Sequence, residues 1–145
     1  MKKMNKKGFT LIEMLVVIAI IAVLVSIIIP TISSATTKAS AATNAANLRA
    51  FKAQLVTASL AGTVTSTTNA ETGVVTYTDG VNSFTAPTAK AFKFTSGDTT
   101  VELTAVVATA TKDTNGDNWT VGFMVGEKLY KIDDFAKIAE TGKLN

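Results

Sequence analysis

Two sets of residues in this chain have the type and spacing to do chemistry. The first is a lone acid, Glu13, at the start of an apolar stretch in which Ser26 is the only polar side chain from Met14 to Ile29. An ionisable group in a membrane-length segment costs about 2.5–3.5 kcal/mol at the bilayer centre, less near a helix end, and usually has a partner. What Glu13 offers is charge pairing in an apolar setting. The second set is Asp113, Asn115 and Asp117, which alternate as oxygen donors and suggest calcium. A calcium loop wants glycine sixth and an acid twelfth, whereas Gly116 falls fourth and Met124 twelfth. A hairpin turn on Asn115-Gly116 explains the same residues with fewer assumptions. No metal is expected, and Asp113, Asn115 and Asp117 stand as the alternative.

The residue types that are missing narrow the function further. The chain has no histidine and no cysteine, which removes histidine acid–base relays, thiol nucleophiles and nearly all zinc or iron–sulfur ligation. No glycine-rich phosphate loop is present, and serine–lysine chemistry has no motif behind it. The expectation is no enzyme and no cofactor. Trp119, Phe123, Tyr130, Phe92 and Phe94 are enough for an aromatic binding face, but large apolar residues are scarce here and core packing is the better use for them.

Charge points the same way. Of 145 residues, 14 are basic and 11 acidic, a net charge of +3. Four of the basic residues, Lys2, Lys3, Lys6 and Lys7, precede Gly8; without them ten face eleven, so the body is near neutral. No basic patch predicts a nucleic-acid partner.

The elements that position Glu13 come next. The run from Phe9 to Ile29 matches the roughly 20 residues a helix needs to cross a bilayer. A secretory signal has a basic region, a short apolar core and a small-residue cleavage site, in that order. Here a glycine directly follows the lysines, the apolar run is longer than a signal core, and Pro30-Thr31-Ile32-Ser33-Ser34-Ala35 makes a poor cleavage site. The plain alternative is a signal anchor with its lysines held inside.

The order Lys7-Gly8-Phe9-Thr10-Leu11-Ile12-Glu13, then an apolar run to Pro30, closely resembles the class III leader of type IV pilins and pseudopilins. The resemblance covers about Lys6 to Pro30. It implies that a membrane prepilin peptidase cuts between Gly8 and Phe9 and N-methylates Phe9. It also implies that Glu13 neutralises the Phe9 amine of a neighbouring subunit and so sets the register of a helical homo-oligomer, and that Pro30 is the family's helix proline. An unpaired acid in an apolar filament core is expensive, and pairing offsets that cost. Many relatives have glycine where this chain has Ala22. Alanine favours helix by roughly 1 kcal/mol, which argues against local unwinding there.

Helical pattern continues to about Ala61, with Gly62 as the stop. Leu48, Phe51, Leu55 and Ala58 form an apolar stripe that suits packing on a sheet, widened on one side by Val56 and Leu60. The stretch from Thr31 to Asn44 is rich in serine and threonine, with little to bury. After Gly62 the composition turns to β. Strands are expected over 63–68, 74–77, 90–95, 101–111, 118–125 and 128–132, the last three as an antiparallel meander. A short helix from Asp133-Asp134 to Ala139 would turn Phe135 and Ile138 inward and end at Gly142.

The expected fold is α+β: a long N-terminal helix, transmembrane in its first half and amphipathic in its second, packed on a small antiparallel β-sheet head. Its parts are a cleaved leader (1–8), a hydrophobic helix (9–30), its amphipathic continuation (31–61) and a β-rich head (62–145). By resemblance, the expected function is a structural subunit of a type IV pilus filament. The alternatives are a pseudopilin of a type II secretion or competence apparatus and a minor adhesive pilin. The implied partners are copies of the same chain, the prepilin peptidase, the assembly platform protein and ATPase, and membrane lipid before assembly. The implied location is the cytoplasmic membrane, single-pass with the N-terminus inside, and then an extracellular filament.

Overall fold

The computed structural model describes residues 8–113 and 118–145. In chain order the elements are α1 (Leu11–Ala61), β1 (Thr65–Thr68), β2 (Val75–Thr78), β3 (Ser83–Thr85), β4 (Phe92–Ser96), β5 (Thr99–Leu103), β6 (Ala108–Lys112), β7 (Trp119–Val125), β8 (Lys128–Lys131), α2 (Ile132–Thr141) and β9 (Lys143–Leu144). This is an α+β fold with a long N-terminal helix and a small, mostly antiparallel β region. The chain divides into two compact units, one ending at Ala35 and one running from Thr36 to Asn145.

In the first unit the backbone is helical from Leu11. Isoleucine and valine are mediocre helix formers in water, but in hydrocarbon only a helix or a closed barrel satisfies every backbone polar group. Every large apolar side chain from Phe9 to Ile32 is exposed, from 45% at Val25 to 83% at Leu11. Pro30 lies inside the helix and supplies no N–H. The polar side chains nearby are kept within the helix: Ser26 donates to the Val23 carbonyl (2.7 Å) and Thr31 to that of Ile28 (2.8 Å).

The second unit begins on the remainder of α1. Its buried side chains are Ser40, Ala41, Asn44, Ala45, Leu48, Phe51, Leu55 and Ala58, spaced by one, three or four residues. The predicted stripe is therefore the buried face, but it stops short of Val56 and Leu60, which are 41% and 85% exposed. The expectation that Thr31–Asn44 has little to bury fails at its end. Asn44 is fully buried; its Nδ2 donates to the Lys90 carbonyl (3.0 Å) and its Oδ1 accepts the Lys90 N–H (2.7 Å). Both ends of the amide are matched, so burial carries no unpaired-group penalty. Among the described residues no buried side-chain nitrogen or oxygen lacks a partner.

Among the described residues nine strands form three sheets of three, in the orders β1-β2-β3, β5-β4-β9 and β6-β7-β8. All pairings are antiparallel except β4 with β9, where Thr95 lies beside Lys143. The meander expected near the C-terminus is β6-β7-β8, with Thr109 opposite Gly122 and Phe123 opposite Tyr130. Gly122 has no room for a side chain, because a Cβ there would strike the Tyr130 carbonyl and the Leu129 side chain.

Two expectations need correction. The single strand over 101–111 is two, β5 and β6. Between them Val106 donates to the Thr104 carbonyl (2.8 Å), and the chain then meets residues 87–89, with Ala89 donating to Val106 and Ala108 to Pro87. No strand is expected between 77 and 90, yet the region around Phe84 is β3, aligned on β2 with Phe84 opposite Tyr77.

The core of this unit includes Phe51, Phe123, Phe135, Leu48, Leu55, Leu103 and Ile138, all essentially inaccessible. Trp119 and Phe123 share the inner face of β7, at 7% and 0% exposure. Edge-to-face pairs join Phe123 to Phe135 (5.6 Å), Phe94 to Tyr130 (5.4 Å) and Phe51 to Tyr77 (5.3 Å), a favoured aromatic geometry. Burial raises the Tyr77 phenol above its ordinary range, against the opposing pull of the Ala110 backbone amide. The Trp119 indole N–H is satisfied by Ser59 Oγ at 2.7 Å. The five aromatics weighed for a binding face are thus mainly core.

In α2, Asp134 accepts the Lys131 N–H (2.8 Å), Phe135 and Ile138 face inward, and Gly142 closes the helix at φ 84°. That left-handed conformation suits glycine.

Candidate functional site

The sequence sets Glu13 apart, and the structure shows what holds it. Phe9 and Thr10 precede α1, and Glu13 stands in its first turn. Glu13 Oε2 accepts the Thr10 backbone N–H at 2.7 Å and the Thr10 hydroxyl at 2.8 Å. The Glu13 N–H in turn faces Thr10 Oγ1 at 3.3 Å, and the Met14 N–H donates to the Thr10 carbonyl at 3.3 Å. This is a capping box, with threonine as the cap and glutamate three residues on, each side chain serving a backbone N–H of the other. An exposed carboxylate would otherwise be free to swing. Here it is folded back on the helix start, where the helix dipole also favours a negative charge.

Glu13 Oε1 carries no hydrogen bond among the described residues. The carboxylate lines an open hollow of about 640 Å³ whose other walls are Phe9, Ile12, Met14, Val16 and Val17. The site is thus one anchored acid, with one oxygen to spare, against an apolar wall. Among the described residues it has no nucleophile, base or second acid, and what it offers a partner is pairing with a cation.

Thr10 is the residue the sequence reading missed. Its signal was present, since Thr10-Leu11-Ile12-Glu13 has the spacing of a capping box ahead of an apolar run. Gly8 and Phe9 lie together before the helix, and both are exposed. Pro30 lies far along α1 from Glu13 and takes no part in this geometry. Lys2, Lys3, Lys6 and Lys7 fall outside the described residues. So do Asn115 and Asp117; Asp113 follows β6, is exposed, and donates its N–H to the Asn118 carbonyl at 3.0 Å. Among the described residues no three acids are gathered where a metal ion would need them.

The helix behind the site is long and apolar enough to cross a bilayer, and its apolar stretch is not buried. A helix of this length and composition fits membrane anchoring. Residues 3–29 match the family model of the prokaryotic N-terminal methylation motif. That motif is the class III prepilin leader, which supports the type IV pilin family and implies processing by a prepilin peptidase. The match supports a type IV pilin- or pseudopilin-like precursor. No curated protein and no solved structure matches the chain.

Proposed function

We propose that this chain is the major structural subunit of a type IV pilus filament. The observation that carries the reading is the pairing of an anchored acid with an uncovered apolar helix. From Phe9 to Ile32 the large side chains are exposed, and at the start of that surface Glu13 has an oxygen with no hydrogen bond among the described residues. Lipid covers such a surface before assembly and the helices of other copies cover it afterwards. The leader keeps its lysines inside, so the chain crosses the cytoplasmic membrane once, with residues 62–145 outside as the displayed head.

Cleavage between Gly8 and Phe9 leaves a positive amine on Phe9, which the peptidase methylates. A methylated secondary amine is still a cation. When that amine comes from a neighbouring subunit, the free oxygen of Glu13 receives it while Thr10 holds the other. Each copy is then set at one axial position on the next. Burying a charge in hydrocarbon is costly, so a copy out of register would leave both charges unmatched. The assembly platform protein and its ATPase would extract the helix from lipid into the filament.

Glu13→Leu tests this. The variant is expected to be processed and membrane-bound, with sheared filaments largely lost. Filaments at normal abundance from Glu13→Leu would overturn the register role. Short, sparse filaments from the unaltered chain would favour a pseudopilin instead.

A further inference from the structure

The outer strands of the three sheets are not alike. A sheet edge displays unpaired N–H and C=O groups, and proteins commonly guard such edges with charge, proline or a covering segment. Five of the six outer strands here have such a guard in them or within two residues. Asp98 and Glu102 guard β5, Lys112 guards β6, Lys128 and Lys131 guard β8, Lys143 guards β9, and Pro87 follows β3. The sixth, β1, has none. It reads Thr65-Ser66-Thr67-Thr68, every residue is exposed, and among the described residues β2 is its only strand partner. No side chain or backbone group of the described residues bonds to its outer side.

We propose that β1 is an interaction edge at which a second copy of this chain adds its own β1, antiparallel, across a two-fold axis. The occupant follows from the composition. With the axis at Thr67, Thr67 faces its own copy and Ser66 faces Thr68, so these cross-strand pairs are hydroxyl on hydroxyl and no charge opposes another. Threonine suits the pleated ladder, and threonine–threonine and threonine–serine pairs are favourable across strands. An isologous contact of this kind needs one surface only, and anchoring copies in one membrane raises their local concentration. The pairing requires anchored chains but not a filament, so it goes beyond the pilus reading, and either one can fail without the other.

The absence of cysteine makes the test clean. Thr65→Cys, Ser66→Cys, Thr67→Cys and Thr68→Cys are made singly in the full chain and oxidised in membranes with copper phenanthroline. Val81→Cys is the control, 91% exposed in the turn between β2 and β3 and outside either strand. At least one β1 position is expected to give a disulfide-linked dimer several-fold above the control. Adding Thr65→Lys to Thr67→Cys should reduce that yield several-fold, because a charged side chain on an edge strand guards it against pairing. Yields no higher than the control at all four positions, yields indifferent to the lysine, or β1 thiols captured by a different protein would each overturn the proposal.

Discussion

The two units handle apolar surface in opposite ways. The helix up to Ala35 exposes all of it: isoleucine, leucine and valine stand open from Phe9 to Ile32. The unit from Thr36 to Asn145 hides Phe51, Phe123, Phe135 and Ile138 almost completely and leaves mostly threonine, lysine and short loops outside. The first can satisfy its surface only through other molecules, whereas the second is finished by its own strands. Polar groups follow the same division. In the second unit they serve the fold, as when Asn44 clasps Lys90. In the helix the one acid is set up with an oxygen to spare. A charge that the fold does not use is available to assembly.

The largest effect that would break this contrast lies at Glu13. Replacing it with leucine should abolish most filament while leaving thermal unfolding of the head unchanged, as read by shearing assays and circular dichroism of detergent-solubilised protein. Glu13→Gln sharpens the point: the amide oxygen can still accept from Thr10 but the charge is gone, so assembly should fall nearly as far. Thr10→Val keeps the charge and loses the hydroxyl bond, and its assembly defect should be the smaller one.

Within the head the ranking follows burial. Phe123→Ala removes a fully buried ring in contact with Phe135 and should lower head stability by about 3–5 kcal/mol, seen as a marked fall in melting temperature with leader processing intact. Asn44→Ala leaves the Lys90 N–H and carbonyl without their side-chain partners and should cost about 1–3 kcal/mol. Apolar exchanges between Leu15 and Ile29 should leave that melting temperature where it is; a shift there would merge the two units.

The smallest effect concerns pH. Asp79 Oδ1 accepts the N–H groups of Asn82 (2.7 Å) and Val81 (2.9 Å), which hold its carboxyl below the ordinary range, backbone bonds first. A folded-state value below the unfolded one means that the carboxylate's contribution is present above the unfolded value and lost as pH falls through the folded one. Amide exchange at Val81 and Asn82 should therefore speed up, relative to their neighbours, only on acidification. Asp79→Ala should remove that response.

Much of this was legible in the sequence because its signals were local. The capped helix at Asp134, the inward turn of Phe135 and Ile138, and the shared parity of Trp119 and Phe123 each depend on spacing within a few residues. What was missed depended on distant partners. The break between β5 and β6 occurs because residues 104–107 turn to meet residues 87–89, which no alternation of valine and threonine reveals. Asn44 read as one more polar residue in an alanine-rich helix, and its burial is decided by a backbone 46 positions away. At the site, Glu13 stood out against its apolar background, whereas Thr10 was overlooked although its spacing to Glu13 was already a cap.

The central claim is that the segment holding Glu13 is exposed at a new N-terminus and built into a polymer. Intact-mass and peptide mass spectrometry of protein sheared from cells tests it most directly. The account predicts a chain beginning at N-methylated Phe9, recovered in long filaments. A chain still beginning at Met1 and confined to membranes would contradict it.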